Sequence, residues 1–143
     1  MGRGRLSAPI LLDTCALIWL GQGEPVSDQA REALDAAWRV GQPPLISPMS
    51  AWELGMLESR GRLSLTSPAD RWWRRACEMM RLRVCELSPE ILLHASALPG
   101  EPPRDPADRI IIATARQLGL ILMTRDRKAL DYAEAGHLQA VTC

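Results

Sequence analysis

Acidic residues fall where apolar segments end or helices are expected to begin: Asp13, Glu53, Asp108 and Asp126, with Asp105 as a satellite. Asp13 closes the apolar run Ile10-Leu11-Leu12, and Asp126 follows Leu120-Ile121-Leu122-Met123 after a short gap. Carboxylates gathered at one edge of a sheet repel each other and lose hydration on burial. A divalent cation offsets both costs, so this pattern points to a metal site and to metal-assisted chemistry.

Such acids converge only if the chain brings distant segments together. Short apolar runs at Ile10–Leu12, Leu45-Ile46, Val84–Leu87, Leu120–Met123 and Gln139–Thr142 are expected strands, and amphipathic stretches separate them. Thr14–Leu20 reads as a short helix that stops at Gly21-Gln22-Gly23. Ser27 or Asp28 caps the next one, in which Ala30, Ala33, Leu34, Ala37 and Trp38 follow helical spacing. Ser47-Pro48, Ser67-Pro68 and Ser88-Pro89 each place a cap before a proline at the first helical position. Those signals open helices through about Ser59, Arg81 and Leu98, and Pro99–Pro103 is then a loop. Asp105-Pro106-Ala107-Asp108 opens a helix through Leu118 whose stretch Ile110–Ala113 is apolar nearly all round and therefore deeply buried. A short helix from Asp126 to about Ala135 precedes the last strand.

Strands alternating with helices imply crossover connections: an α/β fold whose central, mostly parallel sheet is covered on both faces. Ligands in such sheets bind beyond the carboxyl ends of the strands, where Asp13 and Asp126 lie.

Each acid also has a purely structural role open to it. Asp105 fits an N-cap with Asp108 reaching back toward it, Asp126 can cap the last helix, and a helical Glu53 is ordinarily a solvated side chain. Asp13 is the hardest to explain that way, since an Asp directly after a buried strand has cheaper replacements.

The ordered stretches Ile10-Leu-Leu-Asp13-Thr14, Ser50-Ala-Trp-Glu53-Leu-Gly-Met, Arg104-Asp-Pro-Ala-Asp108-Arg-Ile-Ile-Ile-Ala113 and Leu122-Met-Thr124-Arg-Asp126 resemble the PIN-domain ribonucleases. The likeness is greatest to the VapC-type toxins of bacterial type II toxin–antitoxin pairs. It runs from about Pro9 to Val141, and implies a tail over residues 1–8 and a single PIN domain over 9–143 with three α/β/α layers.

By that resemblance Asp13, Glu53, Asp108 and Asp126 form the catalytic quartet that holds Mg²⁺ or Mn²⁺. Asp13 and Asp108 are the expected direct ligands, with Glu53 and Asp126 acting through water. Thr14 and Thr124 match hydroxyl positions that orient the acids or a water. Asp105 matches an extra acid of one branch of the family, open to a role as helix cap, as a group supporting the ligands or as a ligand itself, with the cap expected. The implied reaction is endonucleolytic RNA cleavage leaving a 5′-phosphate and a 3′-hydroxyl. The implied partners are RNA, a VapB-like antitoxin and a second copy of the toxin. The Glu101-Pro-Pro stretch departs from the basic or His-bearing loop of that family.

Composition sets the remaining bounds. Seventeen basic and seventeen acidic residues give zero net charge, so no general basic field draws in nucleic acid. Arg109, Arg125, Arg127 and Lys128 flank two of the acids and are the candidates for contacting RNA phosphates. Arg71, Arg74, Arg75, Arg81 and Arg83 form a second basic cluster. Trp19, Trp38 and Trp52 are expected in core or groove packing, whereas Trp72 and Trp73 are adjacent, so one of them should lie near the surface.

The four cysteines show no C-x-x-C spacing and no His at ligand distance, which argues against zinc and for small core residues in a reducing cytoplasm. Neither a signal peptide nor a membrane span is expected. A HAD-type phosphatase would need an acid at Cys15, and a receiver domain would need paired acids after the first strand. A P-loop is missing, and His94 and His137 lack the context of a serine hydrolase triad. The rival reading is a catalytically inactive PIN-like module that binds RNA or a partner.

Overall fold

The computed structural model describes residues 8–143, so the expected tail, apart from Ala8, lies outside the described residues. Five short strands, β1 (Ile10–Leu12), β2 (Leu45–Ile46), β3 (Arg83–Val84), β4 (Ile121–Thr124) and β5 (Ala140–Thr142), form one sheet in the order β3-β2-β1-β4-β5. Every pairing is parallel, with Leu11 opposite both Leu45 and Leu122. Chain direction across the sheet reverses between β1 and β4. That is the switch point where an open parallel sheet leaves a crevice at its carboxyl edge.

Seven helices fill the connections: α1 (Thr14–Gly21), α2 (Asp28–Arg39), α3 (Pro48–Ser59), α4 (Ala69–Met80), α5 (Pro89–Ser96), α6 (Pro106–Leu118) and α7 (Arg127–Glu134). Strand side chains alternate between two cores. Ile10, Leu12 and Met123 pack with Leu17, Leu34, Leu54 and Trp72 on one face, whereas Leu11 and Leu122 pack with Ile91, Ile112 and Tyr132 on the other. These are the three layers of an α/β/α fold. Helix α6 is apolar on most sides because Ile111 to Ala115 are all buried.

The cap signals resolve individually. Ser27, Ser47, Ser88, Asp105 and Asp126 each accept a backbone N–H at the start of a helix. Ser67 does not: α4 begins one residue later, with Pro68 at the cap position and no side-chain hydrogen bond. The third strand also sits earlier than expected, at Arg83–Val84 rather than Val84–Leu87. It is an exposed edge strand, so apolar continuity does not mark its limits.

Trp52 departs from the expected packing and is 57% exposed on α3. Trp72 is buried, and its neighbour Trp73 is partly buried against the same core, so neither is fully exposed. Cys85 and Cys143 are buried core residues, Cys77 is half-buried and Cys15 is exposed.

Candidate metal centre

Strand β1 ends in the crevice with Asp13, whose backbone N–H donates to the Met123 carbonyl of β4 at 3.1 Å. Its side chain caps α1 by accepting from Ala16 N–H at 2.7 Å, and it also accepts from the Thr124 hydroxyl. Burial nevertheless pushes its carboxyl above the usual range, aided by the charge of Asp126.

Helix α3 presents Glu53 from the other side. The Thr14 hydroxyl, buried at the start of α1, donates to Glu53 and lies 2.9 Å from the Ser50 hydroxyl. Burial raises the Glu53 carboxyl, with Asp105 and Asp13 adding to the effect.

Helix α6 brings Asp108 into the crevice on its first turn. Asp105 caps that helix, accepting from Asp108 N–H at 3.0 Å, as the Asp-Pro start signal implies. Carboxylate oxygens of Glu53, Asp105 and Asp108 all lie within 4.8 Å of one another. No Lys, Arg or His of the described residues forms an ion pair with any of them, since the only such pairs involve Arg127. Desolvation and then the charges of Asp105, Glu53, Asp126 and Asp13 push the Asp108 carboxyl up to about 7. Asp13 stands outside the close triple. Asp126 caps α7 through Ala129 N–H at 2.9 Å and is exposed.

This donor set suits a hard cation. It offers carboxylate oxygens and no imidazole, and no described residue forms a compensating ion pair with it. Cys15 borders the same acids; although part of its surface is exposed, desolvation of its sulfur beside them and then their combined charge push its thiol up to about 11. It therefore stays protonated at neutral pH and brings no thiolate to the centre.

Known proteins resemble this chain in sequence and in fold. The family model for the PIN domain matches residues 10–135. This chain is a PIN-domain protein. It is 32% identical over 120 residues to Ribonuclease VapC22 of Mycobacterium tuberculosis, spanning 83% of this chain and 88% of that one. Among solved structures, a toxin–antitoxin complex from Klebsiella pneumoniae shares 28% identity at a TM-score of 0.60, covering 95% of this chain and 97% of that one. The DNA-bound VapBC of Salmonella typhimurium has the same fold at 20% identity and a TM-score of 0.67, covering 95% and 98%.

The PIN domain has engaged most of the cations that flank its acids. Arg109 donates from Nε to the Ala95 carbonyl at 2.9 Å and from Nη1 to Pro103, so it fastens α6 to α5. Arg125 lies over the Trp19 ring, 3.9 Å from its centroid, and donates to the carbonyls of Pro25 and Cys143. Arg127 pairs with Asp131 at 3.2 Å and reaches toward Glu134. Lys128 alone of the four makes no ion pair or side-chain hydrogen bond among the described residues.

Sequence reasoning missed Ser50, which holds Thr14 from within α3 and is fully buried. A helical Ser among apolar neighbours signalled only an ordinary helix position. Its spacing from Glu53 places both on one face, and that was the available clue.

Proposed function

We propose that this chain is a metal-dependent endoribonuclease, the toxin of a toxin–antitoxin pair, cleaving RNA phosphodiesters with a metal-activated water. One observation carries the reading: carboxylates of Glu53 on α3, Asp108 on α6 and the α6 cap Asp105 converge within 4.8 Å, and no described residue forms an ion pair with them. Similarity to Ribonuclease VapC22 supplies the substrate class.

Mg²⁺ or Mn²⁺ would be held by Asp108 with Glu53 or Asp105, and Asp13 and Asp126 would bind its waters. This differs from the expected pair of Asp13 and Asp108, because Asp13 is not in the close triple. When bound, the cation neutralises charge on the phosphodiester and lowers the pKa of a bound water. The residues' own contribution is orientation. Thr14 fixes Glu53, Thr124 ties Asp13 to the start of α7, and Asp105 holds the first turn of α6 in register. Lys128 is the flanking cation left to meet a neighbouring phosphate.

Similarity to the Klebsiella toxin–antitoxin complex supports a cognate antitoxin and a larger assembly, and a second copy of the toxin is what the family resemblance adds. The described residues contain no helix long and apolar enough to cross a membrane. We place the protein in the cytoplasm, where RNA and an antitoxin would meet it. The test is RNA cleavage by the purified protein with Mg²⁺, with EDTA and with Asp13→Asn. Cleavage that persists equally under all three conditions, or fails under all, refutes the proposal. Growth arrest on expression, relieved by the product of the adjacent small gene, tests the toxin role separately.

A further inference from the structure

Beside the metal centre, a cleft of about 480 Å³ runs between the 99–105 loop and α7. Glu101 and Pro103 line one wall, Lys128 and Asp131 the other, and His137 closes the far end. The loop is anchored along its length. Tyr132 donates its hydroxyl to the Pro99 carbonyl, and its ring stacks on His137 with centroids 4.9 Å apart. Gly100 packs so closely on His137 that a Cβ there would lie 2.5 Å from Nε2. Both walls lead upward to acids of the centre, the loop into Asp105 and α7 back to Asp126. Glu101 and Lys128 of the cleft are thus each within a few residues of an acid of the centre along the chain.

Its volume falls in the range of about 300–1,000 Å³ typical of small-molecule pockets. Its chemistry is selective. Arg127 already holds Asp131, whereas Glu101 is exposed and free of ion pairs among the described residues. A free carboxylate accepts two hydrogen bonds side by side. Guanine alone of the four RNA bases offers adjacent N–H donors, at N1 and N2, on its Watson–Crick edge. The proline and glycine wall gives the base plane an apolar face, and the Lys128 ammonium stands at the mouth for the adjoining phosphate.

Resting on the ribonuclease reading, we infer that this cleft takes a guanine base flanking the scissile phosphate, with Glu101 reading its Watson–Crick edge and Lys128 holding its phosphate. Substrate choice is thereby biased toward single-stranded RNA with guanosine beside the cut.

The test uses the Asp13→Asn protein, which should not cleave, and fluorescence anisotropy with short single-stranded oligoribonucleotides. The oligonucleotides differ only by a single guanosine or adenosine. Guanosine should be preferred by about ten-fold, a loss on mismatch in keeping with one bidentate base contact. Glu101→Gln should abolish that preference, since an amide presents one donor and one acceptor. Lys128→Ala should weaken both oligonucleotides alike and flatten the salt dependence.

Equal binding of the two oligonucleotides, or a preference that survives Glu101→Gln, overturns the inference while the ribonuclease reading stands. Unmutated protein that neither binds nor cuts any RNA overturns both. If Lys128→Ala and Glu101→Gln instead weaken only a co-purified protein partner, the cleft is a protein contact and the inference fails. Glu101 and Lys128 are exposed, so matched thermal melts should show both variants folded as the parent.

Discussion

Thr14, at the first turn of α1, donates its hydroxyl to Glu53, on the second turn of α3, and thereby ties the two helices at the crevice. Both hydroxyls of the Thr14–Ser50 pair are buried, so neither has water to replace a lost partner.

Replacing Thr14 with Val keeps its shape and removes the donor. An unpartnered buried polar group costs about 1–3 kcal/mol, and misplacing a group that supports a metal site typically costs about 10–100-fold. Thr14→Val should therefore melt several degrees lower and cut RNA at least ten-fold more slowly (~10-fold or more). The fall should lie in kcat with KM little changed. Thr14→Ser should recover most of both; a serine variant as poor as valine would mean the methyl group, not the hydroxyl, matters.

Asp108 sets the response of the metal-free protein to pH. Its folded pKa of about 7 lies above the unfolded value near 4, so between those limits the folded chain binds more protons than the unfolded one. Stability from this group is complete at the acid end of that window and declines as pH rises through 7. Screening of a half-exposed carboxylate limits the effect to about 1–2 kcal/mol, or roughly 3–6 °C in melting temperature. Melts in EDTA at pH 5.5 and pH 8 read this directly, and a higher melting temperature at pH 8 would contradict it. Manganese affinity should run the other way, weakening as pH falls below about 7 because protons compete for the same oxygens.

Asp13→Asn separates folding from catalysis. The amide oxygen can still accept from Ala16 N–H, so the α1 cap survives, while a buried charge opposed by its neighbours disappears. The variant should melt at or above the parent temperature in EDTA, yet lose roughly 100-fold or more in cleavage. A variant that melts lower would place Asp13 among the residues that hold the fold together.

Gly100 adopts a left-handed backbone at φ 69° with His137 against it. Gly100→Ala meets both the backbone penalty and the ring. The substitution should cost about 1–2 kcal/mol or somewhat more and loosen the loop that leads to Asp105. Chemical denaturation should show the loss; an unchanged midpoint would mean that His137 moves aside freely.

The fold was largely legible because its cues are local. Apolar runs bounded by caps located β1, β2, β4 and most helix starts, and Gly119 ends α6 in the left-handed conformation that glycine adopts readily. The cues failed where geometry is decided elsewhere. Ser67-Pro68 looks like Ser47-Pro48, yet only Ser47 is fully buried and accepts a helix N–H at its hydroxyl oxygen. Residues 85–87 are apolar enough for a strand, but β2 has only two residues to pair with β3.

At the centre, the types and order of the acids were readable, and the caps at Asp105 and Asp126 followed from their positions. Their partition was not. Which carboxylates approach within a few ångströms depends on how α3 docks against α6. The employment of Arg109 by the Ala95 carbonyl depends on how α5 packs on α6, and that of Arg125 by the Pro25 carbonyl on a loop from far along the chain. Asp105 shows the overlap most clearly, since one residue both caps α6 and joins the close carboxylate triple.

The parallel seat of β4 beside β1 has a consequence in time as well as space. Asp13 is made well before its Thr124 partner and Asp126, and α6 with Asp108 precedes them by little. Until those segments emerge, the acids are scattered along an unassembled chain. The acidic centre therefore forms as one late event within the making of this domain, rather than piece by piece.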